Sequence, residues 1–408
     1  MGLVEGNAVV GQAGGPTAVI NESMVGVVEG LRAAGAGTSG HSIGRVLGMR
    51  HGVRGLTAGD LVDLTGHDQA RLDAIARTPS AGLGSTRDKP DLLYCGRIFD
   101  ACEKHNIRYF FYIGGNDSSD TCRIVNDLAN ERGYELRCFH VPKTVDNDLV
   151  KNDHTPGFAS AARFVATAHM ADGLDNAAIP GVKINVVMGR HAGFLTASAA
   201  LARSGPAGGP HLIYVPEAAF DIERFVQDVA RTMDQYGRCQ VAVSEGIVDK
   251  DGQSIGAMLI QGETDAHGNV QLSGSGAIGD QLAGLLKAKL ATITGKSPRV
   301  RADTFGYIQR CHPDRSPVDA DEARRAGRYA AKLATDGDLD GSVAIVRTGR
   351  GWGGEEYRSE LDRIELSEVA AKTKHMPEEF LEGGNDVSQA FIDYCTPLVG
   401  ELPVFETA

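Results

Sequence analysis

At 408 residues with 42% apolar content, the chain is long for one layered domain, so it predicts two domains with a sizeable core. A net charge of −12 argues against nucleic acid or an anionic membrane as the main partner, yet leaves room for a small anionic substrate met by local arginines. Seven scattered cysteines form no CxxC pair, and neither a leader-like start nor a bilayer-length apolar run is visible, which predicts a cytoplasmic protein.

In chain order, short apolar, β-prone runs alternate with segments of helical spacing. Strands are predicted over residues 8–12, 109–114, 138–141, 184–188, 212–215, 240–244 and 342–346. Helices are predicted over 19–31, 119–131, 159–173, 194–203 and 222–233. This alternation is the pattern of α/β, doubly wound parallel sheets. The Gly-rich stretch 264–279 reads as a surface connection.

Four strand ends carry candidate chemistry. Gly11-Gln12-Ala13-Gly14-Gly15-Pro16-Thr17 joins a strand to a helix, where glycines let the backbone approach an anion and the helix start offers N–H donors. The turn lacks the Walker lysine pattern and the GxGxxG spacing, and a plain strand–helix turn explains it equally well when taken alone. Gly114-Gly115-Asn116-Asp117-Ser118-Ser119 repeats the arrangement, with a simple helix cap as the bland alternative. Pro142-Lys143-Thr144-Val145-Asp146-Asn147-Asp148 sets two carboxylates beside a lysine, suited to proton abstraction and phosphate neutralisation, though Asp-Asn-Asp is also turn composition. Met188-Gly189-Arg190-His191-Ala192-Gly193 ends a strand with an arginine able to fork onto phosphate oxygens, or merely to be solvated; His191 reads as structural. Arg301 and Gly306-Tyr307-Ile308-Gln309-Arg310 add two more guanidiniums.

Together with Pro216-Glu217, Ser244-Glu245 and Ser316-Pro317, these motifs resemble the phosphofructokinase family, in register over nearly the whole chain. The resemblance implies two doubly wound, Rossmann-like parallel-sheet domains with the active site in the cleft between them. It implies a donor-binding domain over 1–157 plus roughly 308–335, a sugar-phosphate domain over 158–307 plus roughly 336–370, and a C-terminal extension over 371–408. It implies Asp146 as the base acting on the sugar's 1-hydroxyl, with Lys143, Arg190 and Asp117 completing the catalytic set. Gly14, Gly15, Gly115, Ser118 and Arg87 would meet the donor phosphates. Thr144, Val145, Asp148, Met188, Gly189 and Glu245 would line the sugar site, and Arg301, Tyr307 and Arg310 would grip the distal 6-phosphate.

The resemblance further implies pyrophosphate as donor. Members that use ATP carry glycine where this chain has Asp117, and many carry glycine at Lys143. A carboxylate at 117 opposes a nucleotide's α-phosphate, and the lysine offsets the charge of a short, dense donor. Val53 falls where ATP users present an aromatic. Magnesium is expected, although Asn116 stands where many relatives hold the ion with a carboxylate. An ATP-dependent kinase or a catalytically silent subunit of the same fold are the rival readings; a nicotinamide dehydrogenase is distant because no acidic ribose partner is evident. The expected partners are pyrophosphate and fructose 6-phosphate, with no nucleic acid or membrane. A homodimer or homotetramer is expected, Arg301 reaching across a subunit interface.

Overall fold

Strands buried on both faces read as continuous apolar runs, which is how Tyr109-Phe110-Phe111-Tyr112-Ile113 stands out. The computed structural model describes residues 3–37, 42–259, 277–295 and 298–405, so the predicted connection over 264–279 lies largely outside the described residues. The strands in chain order are β1 (Gly6–Gln12), β2 (Ile43–Met49), β3 (Leu61–Asp63), β4 (Ile107–Gly114) and β5 (Arg137–Pro142). They continue as β6 (Val182–Val187), β7 (Leu212–Tyr214), β8 (Cys239–Ser244), β9 (Val300–Thr304), β10 (Asp340–Gly349), β11 (Arg358–Ile364), β12 (Leu381–Glu382) and β13 (Asp386–Val387).

The chain forms two compact units. One comprises Met1–Val145, Leu149–Ser160 and Arg310–Lys374; the other comprises Asp146–Asp148, Ala161–Gln309 and His375–Ala408.

The first unit holds a sheet of order β11-β10-β5-β4-β1-β2-β3, parallel except for the edge pairs β10–β11 and β2–β3. Helices cover both faces, as a doubly wound sheet requires. On one face, Ile20–Ala33 and Pro317–Asp336 bury Val25, Val28, Ala326 and Ala330 against Val10 and Phe111. On the other, Leu92–Lys104 and Asn116–Glu131 bury Phe99, Cys122 and Val125 against Val9 and Phe110. The expected placement of 336–370 in the second domain is corrected. β10 pairs with β5, Ser342 opposite His140, and β11 pairs with β10, so this segment completes the first sheet.

The two helices on the first face approach at glycines. A Cβ at Gly327 would collide with the Ser23 carbonyl oxygen, and one at Gly26 with that of Arg324. Gly327→Ala is therefore expected to destabilise the protein by about 1–3 kcal/mol through overpacking, despite alanine's better helix propensity. A thermal melt reads the loss, and an unchanged Tm would refute this close approach.

The second unit contains an all-parallel sheet of order β7-β8-β6-β9. Ile222–Tyr236 and Ala277–Thr294 bury Phe225, Val229, Leu282 and Leu286 against Val186 and Val241. Phe158–Ala178 is tied to the sheet through Gln240 Nε2 to the His169 carbonyl at 3.0 Å and Asn185 Nδ2 to Asp172 at 2.9 Å. The predicted helix over 194–203 breaks into Phe194–Ala197 and a 3₁₀ turn, Ser198–Ala202. There the Ser198 hydroxyl donates to the Leu195 carbonyl at 2.6 Å, a local bond that competes with regular helix.

Candidate active site

In the first sheet β1 lies between β2 and β4, so the connections depart to opposite sides and open a crevice at the carboxyl ends of β1 and β4. Both glycine-rich strand ends fall there. Gly14 has φ +74°, which a glycine adopts freely, and donates its N–H to the Thr86 carbonyl at 2.8 Å. The Ser85 hydroxyl donates to the Gly14 carbonyl at 2.6 Å, and the Ala13 N–H to the Ile113 carbonyl at 2.9 Å.

Lys143 follows β5, the neighbour of β4, and its N–H bonds the Gly114 carbonyl at 3.0 Å. Its side chain is only 4% exposed, and Nζ donates to the Gly15 carbonyl at 2.8 Å. A Cβ at Gly14 would stand 3.1 Å from that Nζ, and one at Gly15 would stand 2.7 Å from Cζ of Arg310. Two cations thus converge on one glycine turn. Arg310 belongs to the first unit, whereas Arg301 and Tyr307, with which it was expected to grip a 6-phosphate, belong to the second.

Gly115 precedes the helix Asn116–Glu131 and brings no side chain to cap it, while Ser118 is buried in its first turn. Asp117 is exposed and pairs with Lys89 at 3.0 Å. The hydrogen bond to Asp117 raises the pKa of Lys89, keeping it charged. Lys89 was not foreseen, because it sits in an irregular loop beside the equally exposed Arg87. Val53, which falls where ATP users present an aromatic, is fully buried in the core with Leu47 and Leu56.

Thr144 and Val145 are buried, and Asp146 and Asp148 are half-buried. Between the carboxylates, Asn147 has φ +59° and donates to the Tyr394 hydroxyl at 2.9 Å.

The second sheet joins four of the predicted sugar-site residues, Met188, Gly189, Arg190 and Glu245. Val187 of β6 stands opposite Ser244 of β8, so the segments beyond them are neighbours. The Ser244 hydroxyl donates to the Gly189 carbonyl at 2.7 Å, and the N–H of buried Glu245 donates to the Val187 carbonyl at 2.9 Å. Gly189 has φ +123°, and a Cβ at Gly246 would strike the Arg190 carbonyl, so Met188, Gly189, Arg190 and Glu245 form one tight assembly. The Met188 N–H reaches Gln309 Oε1 at 3.4 Å, linking the assembly to the turn that exposes Tyr307. Burial lowers the pKa of His191, helped by Arg190 and opposed by Asp148. Glu217 accepts from the Gly193 and Met376 N–H groups at 2.9 and 3.0 Å and buttresses this loop.

Arg301 is not brought to this assembly. It is opposite Lys183 on edge strand β9, five residues before Met188, or about 16 Å along a strand at about 3.3 Å per residue. Among the described residues, no cluster of three or more His, Cys, Asp or Glu is arranged to hold a metal. Among them too, no helix is long and apolar enough to cross a membrane.

A family profile described as phosphofructokinase matches residues 7–334. A pyrophosphate–fructose 6-phosphate 1-phosphotransferase of Rhodospirillum rubrum is 51% identical, covering 98% of this chain and 95% of the relative. One from Halomonas elongata is 36% identical over 99% and 94% of the respective chains. The crystal structure of a pyrophosphate-dependent phosphofructokinase from Marinobacter aquaeolei superposes with a TM-score of 0.84 at 32% identity, covering 98% of this chain and 94% of its own. Matched by that profile over residues 7–334 and 51% identical to a relative over 98% of its length, the chain belongs to the phosphofructokinase family.

Proposed function

We propose that this protein reversibly transfers a phosphoryl group from pyrophosphate to the 1-hydroxyl of fructose 6-phosphate, giving fructose 1,6-bisphosphate and phosphate. The observation that carries the donor assignment is buried Lys143, fixed over the Gly14–Gly15 turn while Asp117 stands at the adjoining helix start. A fixed cation over a glycine cradle suits a compact, highly charged donor, and a carboxylate beside it disfavours a nucleotide.

Phosphoryl transfer asks mainly for in-line placement and charge neutralisation. Asp146 takes the proton of the 1-hydroxyl as its oxygen bonds to phosphorus and the bridging P–O bond breaks. Lys143 and Arg190 meet charge on the transferring group, and Gly14, Gly15, Gly115, Ser118 and Arg87 receive the donor. Thr144, Val145, Asp148, Met188, Gly189 and Glu245 orient the sugar. Arg310, beside Gly15, is assigned here to the donor end. Arg301 and Tyr307 hold the 6-phosphate, Arg301 serving a neighbouring copy in a homodimer or larger homo-oligomer.

The residues fit magnesium as an ion brought in on the phosphates, since magnesium keeps several waters and takes few protein ligands. The Asn116 carbonyl and the Asp117 carboxylate would offer hard oxygens, and the bound ion would neutralise phosphate charge. The mostly buried cysteines suit a reducing cytoplasm.

A matrix of donors and acceptors on purified protein, with magnesium varied, tests the reading. Turnover with pyrophosphate and fructose 6-phosphate is expected, and robust ATP turnover without pyrophosphate activity would overturn it. Including sedoheptulose 7-phosphate shows how strictly the acceptor is chosen.

A further inference from the structure

Ten residues beyond Thr144, the first unit buries a histidine that phosphoryl transfer does not itself require. His154 is 1% exposed, with Nδ1 at 2.7 Å from Asp153 Oδ1 and Nε2 at 2.6 Å from Glu322 Oε2. Carboxylate oxygens at both nitrogens require both to donate, which makes the ring an imidazolium. Glu322, on the helix Pro317–Asp336, also accepts from the Tyr357 hydroxyl at 2.6 Å and the Ser359 hydroxyl at 2.5 Å. Asp153 accepts from Arg347 of β10 at 3.1 Å, and Lys374 Nζ bonds the carbonyls of Asn152 and Asp153 at 3.0 and 2.9 Å.

This clamp fixes a segment that grips the catalytic loop. The Thr144 N–H donates to the Pro156 carbonyl at 3.2 Å, and the Thr155 hydroxyl to the Thr144 carbonyl at 2.9 Å. Buried Asp319, one helical turn before Glu322, accepts from the Gly157 and Ser160 N–H groups at 2.8 and 2.9 Å. The chain entering the Asp146–Asp148 tripeptide is therefore held by the chain leaving it.

We propose that His154 is a positioning residue for the reaction: bridging Asp153 and Glu322, it holds residues 152–157 and through them Thr144, two residues before Asp146. The inference rests on the assignment of Asp146 as base. A shift of about 1 Å at a reacting group can cost about 10²-fold in rate, so a loosened clamp lowers kcat without touching a substrate.

Burial opposes the charge on His154, but Glu322 and Asp153 outweigh it and raise the pKa to about 9. The clamp is thus intact below pH 9 and is lost as pH rises through that value. Arg347, Tyr357, Lys374 and Asp319 are the other ionisable groups packed around it.

The test compares wild type with His154→Gln and with His154→Gln/Glu322→Gln, which removes both charges but keeps hydrogen-bonding groups. Turnover is read with whichever donor the wild type uses, so a wrong donor assignment shows in the wild type and a wrong clamp in the variants. Trp352, the single tryptophan, stacks on Arg347 at 5.4 Å and gives a second, substrate-free signal. Expected in the double variant are a Tm near wild type, a kcat at least about tenfold lower and KM values within about threefold. The wild type should lose activity and shift its Trp352 fluorescence near pH 9, and the double variant should do neither. A folded double variant with wild-type kcat, or one keeping the alkaline fall, overturns the proposal. If the variants do not fold, a wild-type fluorescence titration flat through pH 9 overturns it, and a transition there supports it.

Discussion

Asp146→Asn is expected to slow turnover by about 10²–10⁴-fold, the usual worth of a positioned general base, while fructose 6-phosphate still binds. The substitution keeps size and hydrogen bonding and removes only the ability to take a proton. Its surroundings favour a clean result. Asp146 is half-buried, and its neighbours Val145 and Asn147 are buried, so the backbone is held independently of the carboxylate. Steady-state kinetics with both substrates saturating, beside calorimetric titration of fructose 6-phosphate, separates chemistry from binding. A variant within about tenfold of wild type would remove Asp146 from the role of base.

The second large effect concerns the donor. Asp117→Gly with Lys143→Gly is expected to lower kcat/KM for pyrophosphate by about 10²–10³-fold, the cost of losing one preorganised charge contact to a phosphate. Lys143 should account for most of the loss, because it is buried and directed onto the Gly15 carbonyl beside the turn. Asp117 is exposed and balanced by Lys89 at 3.0 Å, so its removal alone should matter less for pyrophosphate. The KM for fructose 6-phosphate serves as the internal control, with a thermal melt to confirm folding. Unchanged pyrophosphate kinetics in the double variant would show that the donor is selected elsewhere.

Much of the candidate site was legible because its candidate residues lie in contiguous runs at strand ends. A buried parallel strand needs a continuous apolar stretch, and the tight turn after it needs glycine, so Gly14 and Gly189 marked themselves through left-handed φ. The residues that act across the fold left no such mark. His154 and Glu322 are 168 residues apart, and nothing in the spacing of either announces the other. The resemblance implies that Arg310 shares a 6-phosphate with Arg301, but it says nothing of the approach of its guanidinium to Gly15, which only the fold shows.

By itself the amino-acid sequence determined the alternation of strands and helices and the glycine turns, because these depend on dihedral preference and on apolar runs within a few residues; the family was legible only through the resemblance of its ordered motifs. Tertiary structure decided the order of the strands. That order joined β10 and β11 to the first sheet, set β1 beside β4 to open the crevice, and left Arg301 far from Met188 along edge strand β9. The physical reason is that a backbone ladder pairs any two strands of suitable length, so the choice of neighbour falls to long-range burial of both faces.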